Sequence, residues 1–313
     1  MSVLADWLIG IYHFAADRPP GNVPVVDPRP RAVNPWQQNG EVLVSRVSAG
    51  KDITASTALS VELLGGLGRA IARGDTVLVK PNFNSPDPVP ASTDLAFLRA
   101  AVEILLDAGA KVIIGESAGA LWRPTRRVLR KLGADDLARD LGVELIAFDD
   151  RPADWVRIRI QGDYLESVCM PRAAYEADRL VYLPCMKTHK LARFTGALKL
   201  AVGFMHPGER RSLHMGNLEE KAAELSLCWQ PELIIMDGRK AFVSGGPDKG
   251  RVEEPGILLA SGDLVAIDVE AMKTLLAHGA GASLPPNPWH SRQIATATKH
   301  GLGASEGGYT VVQ

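Results

Sequence analysis

Residues 76–82 read TVLVKPN, a short run of aliphatic and β-branched residues that changes abruptly to lysine, proline and asparagine. Such a run predicts a buried strand. Residues 92–94 (STD) then cap a predicted helix that ends before Gly109, and residues 112–114 (VII) give the next buried strand. This order of strand, helix and strand is typical of a parallel sheet covered by helices.

The same alternation continues on both sides of this unit. Upstream, residues 41–47 alternate as a strand and residues 56–72 have helical spacing. Further strands are predicted at residues 143–148, 179–183, 232–236 and 256–260. We therefore predict an α/β protein with mostly parallel sheets and flanking helices, arranged as two Rossmann-like lobes with a cleft between them.

The chain divides into four predicted segments. Residues 1–40 comprise an amphipathic helix and an arm with six prolines, which excludes regular helix or central strand in the arm. Residues 41–150 form the first α/β lobe, residues 151–280 form the second, and residues 281–313 form a loop-rich tail. The arm either wraps over the body or reaches a partner subunit, so a homo-oligomer through residues 1–40 is one expectation.

The composition excludes several classes of protein. The 35 basic and 36 acidic residues nearly cancel, so no global field attracts nucleic acid. The three cysteines include no CxxC pair, which argues against an iron–sulfur cluster, a zinc ribbon or a disulfide framework and favours a reducing, cytoplasmic location. No segment reaches the roughly 20 apolar residues of a transmembrane helix, so we expect a soluble chain.

The candidate site follows a predicted buried strand, because ligands of such sheets gather at the carboxyl ends of the strands. Residues 187–199 read KTHKLARFTGALK, and residues 203–214 read GFMHPGERRSLH. Lysine and arginine suit a carboxylate or phosphate, and histidine suits proton transfer. We predict catalytic roles for His189, Lys199, Lys187 and Glu116. We predict binding of a small anionic ligand by Lys80, Asn82, Lys190, Arg210 and Arg211.

A second interpretation of the histidines and carboxylates is a divalent metal site. The candidate ligands are His206, His214, Asp237 and Asp263. No HxH or HExxH spacing identifies a metal, so anion contacts or capped helix ends explain the histidines equally well. Asp268 either acts as a functional carboxylate or caps a turn and orients a lysine.

A set of short motifs resembles the DUF362 family of uncharacterised proteins. The motifs are VLVKPN (77–82), GE (115–116), KTH (187–189), TGALK (195–199), DG (237–238), GP (246–247) and ASGD (260–263). Leu200 stands where an asparagine is usual in the family, and Leu264 replaces a common proline. Many members carry a ferredoxin-like segment or an export signal; we expect neither here, and no iron–sulfur cluster.

A more distant resemblance is to the nickel-pincer lactate racemase family. It is carried by a histidine after a strand, a glycine turn leading to a lysine, and a later histidine. This resemblance implies that Lys199 anchors a cofactor, that His214 or His206 is a metal ligand, and that His189 is a base for proton transfer.

Together these patterns predict an enzyme of isomerase, lyase or metal-dependent type that acts on a small anionic metabolite. Lys80, Lys187 and Lys199 would neutralise the anion, and His189 would move a proton. The alternative is a non-catalytic carrier of an anion or a metallocofactor, which needs Lys199 but not His189. A third interpretation is a subunit whose arm serves assembly, in which case deleting residues 1–40 would dissociate an oligomer.

Overall fold

A computed structural model describes residues 3–31, 33–150 and 154–313. The helices are α1 (Val3–Ala16), α2 (Ile53–Glu62), α3 (Leu95–Asp107), α4 (Thr125–Leu132), α5 (Ala134–Leu141), α6 (Arg172–Glu176), α7 (Ala197–Leu200), α8 (Arg210–Leu213), α9 (Leu218–Glu224), α10 (Leu264–Ala277) and α11 (Arg292–Lys299). The strands are β1 (Val25–Val26), β2 (Gln37–Gln38), β3 (Glu41–Ser48), β4 (Thr76–Pro81), β5 (Lys111–Glu116), β6 (Glu144–Ala147), β7 (Trp155–Arg159), β8 (Ser167–Pro171), β9 (Arg179–Leu183), β10 (Cys185–His189), β11 (Arg193–Thr195), β12 (Leu233–Gly245), β13 (Gly250–Glu253), β14 (Ile257–Ser261) and β15 (Tyr309–Val312). No helix within these ranges has the length and apolar character needed to cross a bilayer.

One large sheet organises the fold, with the strand order β15-β3-β14-β12-β9-β4-β5-β6. From β12 to β6 each strand runs parallel to its neighbour. β14 is antiparallel to both β12 and β3, and β15 closes the other edge parallel to β3. The predicted α/β class, with mostly parallel sheets and flanking helices, is confirmed.

Strands from both predicted lobes belong to this sheet. β4 from the first lobe and β9 from the second are parallel neighbours, with Val77 opposite Arg179 and Pro81 opposite Leu183. The sheet is therefore continuous across the predicted boundary at residue 150. The four-segment division stays a prediction.

Both faces of the sheet are covered. Val77 and Val79 of β4 belong to one buried hydrophobic cluster, whereas Leu78 between them belongs to another. Successive side chains of a strand point to opposite faces, so an uninterrupted apolar run places a core on each side.

The N-terminal arm wraps over the body, which was one of its two predicted alternatives. β1 pairs with β7, and the Arg29 N–H donates to the Cys228 carbonyl at 2.9 Å. The Trp36 side chain is fully buried, and its Nε1–H donates to the Glu232 carbonyl at 2.9 Å. Trp36 therefore anchors the arm to the core.

One local prediction is corrected. The helix expected over residues 56–72 ends at Glu62, because Gly65 and Gly66 follow with positive φ of 105° and 88°. The C-terminal tail supplies α11 and the edge strand β15, with irregular segments around them.

Candidate functional site

A cavity of about 630 Å³ lies where β4, β5 and β10 end. Its lining includes all nine residues predicted to be catalytic or substrate-binding, namely Lys80, Asn82, Glu116, Lys187, His189, Lys190, Lys199, Arg210 and Arg211. Six of these side chains are lysine or arginine, against two lining carboxylates, Glu116 and Asp248. Their individual roles stay predictions, but the structure places them around one space.

The KTH motif forms the last three residues of strand β10, and all five residues of this strand are buried. Lys187 and His189 are two residues apart, so they share one face of the strand and both line the cavity. Thr188 points to the other face and donates from Oγ1 to the Phe242 carbonyl at 3.1 Å. The alternation of the strand thus gives the motif two cavity residues and one structural hydroxyl.

Lys80 and Glu116 form a buried ion pair at the ends of β4 and β5. Lys80 Nζ lies 2.5 Å from Glu116 Oε1 and donates to the Pro81 carbonyl at 2.8 Å. Glu116 Oε2 accepts the Phe83 N–H at 2.7 Å. Burial lowers the pKa of Lys80, and the charge of Glu116 opposes that shift. Because Lys80 and Glu116 neutralise each other, the pair contributes mainly to the structure of the cavity wall. It leaves little net charge for a ligand.

Lys187 has no carboxylate partner among the described residues. Its Nζ donates to the Ala91 carbonyl at 2.5 Å, and its side chain is buried. Burial lowers its pKa, because the ammonium group loses hydration. A ligand anion in the cavity would supply the missing counter-charge.

The short helix that carries Lys199 is fixed by a buried carboxylate, Asp268. Asp268 accepts the Ala197 N–H at 2.7 Å and the Leu198 N–H at 3.0 Å, which fixes the first turn of α7. Gly196 permits this contact, because a Cβ atom there would overlap Asp268 Oδ1. This arrangement agrees with the interpretation of Asp268 as a residue that caps a turn.

The Lys199 amine has an unusual electrostatic environment. Its side chain is half-buried in the cavity wall. Burial, followed by the charges of Lys187 and Arg210, lowers its pKa to about 7. The lowered pKa lets this amine release a proton more readily near neutral pH than an ordinary lysine does.

His189 is a fixed hydrogen-bond donor. Its Nδ1 accepts the Leu191 N–H at 3.0 Å and the Ala192 N–H at 3.1 Å, so the ring proton lies on Nε2. Burial, and then the charges of Lys199 and Lys187, lowers its pKa to about 2. A ring in this state donates from Nε2 and has no free lone pair there, which does not suit the predicted role of base.

His214 uses the opposite tautomer. Its Nδ1 lies 2.9 Å from the Arg210 carbonyl, which can only accept, so Nδ1 carries the proton. The Nε2 lone pair is left free on a side chain that lines the cavity. Of these two histidines, His214 is the one suited to accept a proton.

Arg210 acts as a clamp between loops. Its guanidinium donates to the carbonyls of Met205, Ser117, Ala118 and Gly203 at 2.7–3.2 Å. Burial lowers its pKa to about 10. Its charge reaches the cavity, while most of its N–H groups hold the wall together.

The predicted metal ligands do not form one site. Asp237 is bound by Arg239, with Oδ2 2.7 Å from Nη2, and Asp263 caps α10 by accepting the Ala266 N–H at 2.8 Å. His206 packs against Trp155, with ring centroids 4.6 Å apart. Of the four predicted ligands only His214 lines the cavity. A metal centre built from these side chains does not fit the structure.

A different group of ligand-type side chains lies outside the cavity lining. In the described part of the chain, Asp163, Glu224 and His300 are the one set of three close enough to share an ion. Glu224 already accepts the N–H groups of Asp163 and Leu165 at 2.7 and 2.9 Å, and Lys299 binds Asp163 at 2.6 Å. Spacing along the chain could not predict this cluster, because its members are far apart in sequence.

Sequence reasoning missed part of the cavity wall. Leu121 and Trp122 follow β5, Leu191 lies between β10 and β11, and Asp248 follows the GP motif at 246–247. Of these residues, Asp248 was the easiest to predict from the sequence, because the glycines before it indicate a turn. The apolar residues carry no chemical signal that separates them from core positions.

The fold and the cavity define an α/β protein with a cavity lined by lysine and arginine side chains at the carboxyl ends of parallel strands. The chain belongs to the family described as Domain of unknown function (DUF362), whose profile matches residues 77–273. This finding confirms the resemblance carried by the short motifs.

Two individual proteins are similar to the chain. The thylakoid-associated protein sll1697 of Synechocystis sp. (strain ATCC 27184 / PCC 6803 / Kazusa) is 28% identical over 226 residues, covering 69% of this chain and 68% of that protein. The lactate racemase apoprotein from Thermoanaerobacterium thermosaccharolyticum gives a TM-score of 0.37 at 12% identity, with 82% of this chain and 62% of the racemase covered. The chain thus spans less than two thirds of the racemase, and a likeness this low carries no argument about activity.

Proposed function

We propose that the protein is an enzyme that binds a small carboxylate or phosphate in the cavity and catalyses proton transfer to or from this ligand. The observation that carries this proposal is the position of Lys199. Lys199 is half-buried, has no carboxylate partner among the described residues, and lies in a cavity rich in cations.

The charges of the wall support an anionic ligand. Lys80 is neutralised by Glu116, but Lys187 and Lys199 are not neutralised by any described carboxylate. An anion between these two lysines would restore charge balance and strengthen its own binding, since water is partly excluded there.

The environments of Lys199, His214 and His189 support a different role for each side chain. His214 offers a lone pair that can accept a proton, the Lys199 ammonium group can give up its proton because its pKa is lowered, and the Nε2–H of His189 can hold a ligand oxygen. This assignment moves the proton-transfer role from His189 to Lys199 and His214. It keeps His/Lys-assisted proton transfer as the reaction type.

Solvent deuterium exchange tests the proposal without knowledge of the natural substrate. A panel of 2-hydroxy and 2-oxo carboxylates and their phosphate esters is incubated with protein in D₂O, and NMR follows loss of the C2–H of the hydroxy acids and of the C3–H of the oxo acids, relative to the same compounds without protein. We expect exchange with at least one compound, reduced at least about 100-fold in Lys199→Met. His214→Asn keeps an N–H for the Arg210 carbonyl and should also lose exchange, whereas exchange that is intact in both variants excludes the mechanism.

The alternative is a non-catalytic anion carrier. It is favoured by one observation, namely that Glu116, His189 and Arg210 already have structural hydrogen bonds. A carrier would bind carboxylates or phosphate through Lys187 and Lys199 but would show no exchange with any compound. Binding that depends on Lys187 without exchange would therefore favour this alternative.

Location and assembly complete the proposal. We propose a cytoplasmic protein, since Cys169, Cys185 and Cys228 are all unpaired and buried. The relative in Synechocystis carries the name thylakoid-associated, so fractionation of cells into membrane and cytosol decides this point. A homo-oligomer through residues 1–40 is tested by light scattering of the intact chain and of a chain without residues 1–17.

A further inference from the structure

The cavity lining combines two kinds of side chain. Lys187 and Lys199 give it a cationic part, as described above. The other part is apolar and comes from two turns, with Leu121 and Trp122 in one and Leu191 in the other.

The apolar part lies at the mouth. Leu191 is 65% exposed and Leu121 is 48% exposed, although both line the cavity. Turns usually carry polar side chains. Two exposed leucines from separate turns in the lining of one cavity are therefore unusual. A ligand that covered them would remove apolar surface from water.

The Leu121 turn is held in place. Gly10 of α1 packs so closely against it that a Cβ atom on Gly10 would overlap the Leu121 carbonyl oxygen. Gly119, just before the turn, contacts Asn84, since a Cβ atom there would lie 2.6 Å from Asn84 Oδ1. Packing on both sides fixes the turn, so the leucine is presented at the mouth by the fold.

The volume agrees with a ligand larger than a bare anion. Cavities of roughly 300–1,000 Å³ enclose molecules of drug size, and this one measures about 630 Å³. A single carboxylate or phosphate group would leave most of it filled with water against apolar walls.

We propose that the ligand is an amphipathic anion, with its carboxylate or phosphate between Lys187 and Lys199 and an alkyl or aromatic tail against Leu121, Trp122 and Leu191. This inference rests on the proposed function and adds the substrate class. The tail contributes affinity, and the lysines select the head group.

Calorimetric titration with two homologous series tests this inference. The probes are acetate, butyrate, hexanoate and octanoate, and separately inorganic phosphate, butyl phosphate and octyl phosphate. We expect the Kd to fall about three- to fourfold for each methylene that becomes buried. The series with the lower Kd at equal tail length identifies the head group.

Matched variants separate the tail from the head. In Leu121→Ser/Leu191→Ser the dependence of Kd on tail length should flatten, with binding of the shortest anion unchanged. Leu59→Ser is the control, because Leu59 is 44% exposed on α2 and does not line the cavity. Octanamide, which has the tail without the charge, should bind at least about tenfold more weakly than octanoate.

The outcomes distinguish the two proposals. Equal affinity for acetate and octanoate, or a chain-length dependence that survives the double leucine variant, would overturn the amphipathic ligand while leaving an anion site. Failure of every carboxylate and phosphate to bind would overturn the proposed function itself.

Discussion

At the scale of single residues, the two cavity histidines differ in whether Nδ1 accepts or donates its hydrogen bond to the backbone. His189 accepts two N–H groups at Nδ1, and His214 donates from Nδ1 to a carbonyl. The same side chain is thereby fixed as a donor in one position and left as a free acceptor in the other. Residue type in the sequence cannot express this difference, because it arises from the local backbone.

His189 also contributes to stability, which the sequence did not indicate. His189→Ala would leave the Leu191 and Ala192 N–H groups without their acceptor, at a cost of about 1–3 kcal/mol in the free energy of unfolding. His189→Asn places an amide oxygen near the position of Nδ1 and should retain most of that stability while losing the Nε2–H. Urea denaturation of both variants measures the difference, and equal stability would show that the two backbone bonds contribute nothing.

Lys199 should give stability a characteristic dependence on pH. Its pKa is lowered to about 7 in the folded state, against about 10.4 in an unfolded chain. The unfolded state therefore binds more protons between these values, so the cost of burying the charged amine is fully present below pH 7 and disappears as the pH rises towards 10.

The comparison with Lys199→Met isolates this effect. The wild type should gain stability relative to Lys199→Met between pH 7 and pH 10, measured by urea denaturation at each pH. Groups that do not interact with Lys199 contribute equally to both proteins and cancel in the difference. A difference that stays constant over this range would contradict the lowered pKa.

At the scale of elements, Gly203 lets the segment after α7 approach the ends of β4 and β5. A Cβ atom on Gly203 would lie 2.6 Å from Lys80 Nζ and 3.0 Å from Glu116 Oε1. Gly203→Ala should therefore displace the buried ion pair and destabilise the fold by about 1–3 kcal/mol. Gly281→Ala is the control, because a Cβ atom there meets nothing within 4 Å. Thermal unfolding of the two variants tests this, and matching midpoints would show that the ion pair accommodates a methyl group.

The sequence predicted elements well where hydrophobic burial dictates them. β4, β5 and β9 were recognised because apolar residues run through them, and α3 because Asp94 caps it. β10 was not recognised as a strand, since its lysine and histidine are polar although the strand is buried. Polar side chains that line a cavity are buried, whereas hydrophobic periodicity treats polar residues as exposed. Strands that carry the site are therefore missed by pattern-based prediction.

The candidate site could be predicted in outline only. Strand ends of a parallel sheet meet at one edge, and this rule sufficed to bring Lys80, Glu116 and Lys187 together. It could not show that Lys80 is neutralised by Glu116, or that Asp263 is committed to a helix cap. Those facts depend on side-chain geometry within a few ångströms, which spacing along the chain does not encode.

At the scale of the whole molecule, strand order was beyond the reach of the sequence. The repeated strand and helix pattern is compatible with two separate lobes, yet β4 pairs with β9 in one sheet. Pairing between strands about a hundred positions apart is decided by global packing. The cavity is consequently bounded by segments from both halves of the chain, including the loops after β5 and after α7.

Trp36 anchors the N-terminal arm to the body of the protein, which changes the expectation for removal of the arm. Trp36 is fully buried, whereas Val33 on the same arm is 84% exposed. Trp36→Ala should lower the free energy of unfolding by about 3–5 kcal/mol, because it removes a large buried side chain and its bond to the Glu232 carbonyl. Val33→Ala should change it by less than about 0.5 kcal/mol. Because deletion of residues 1–40 removes Trp36, it should destabilise the protomer as well as any oligomer. Chemical denaturation monitored by circular dichroism distinguishes these outcomes, and a Trp36→Ala protein as stable as Val33→Ala would mean that the arm is not part of the folded core.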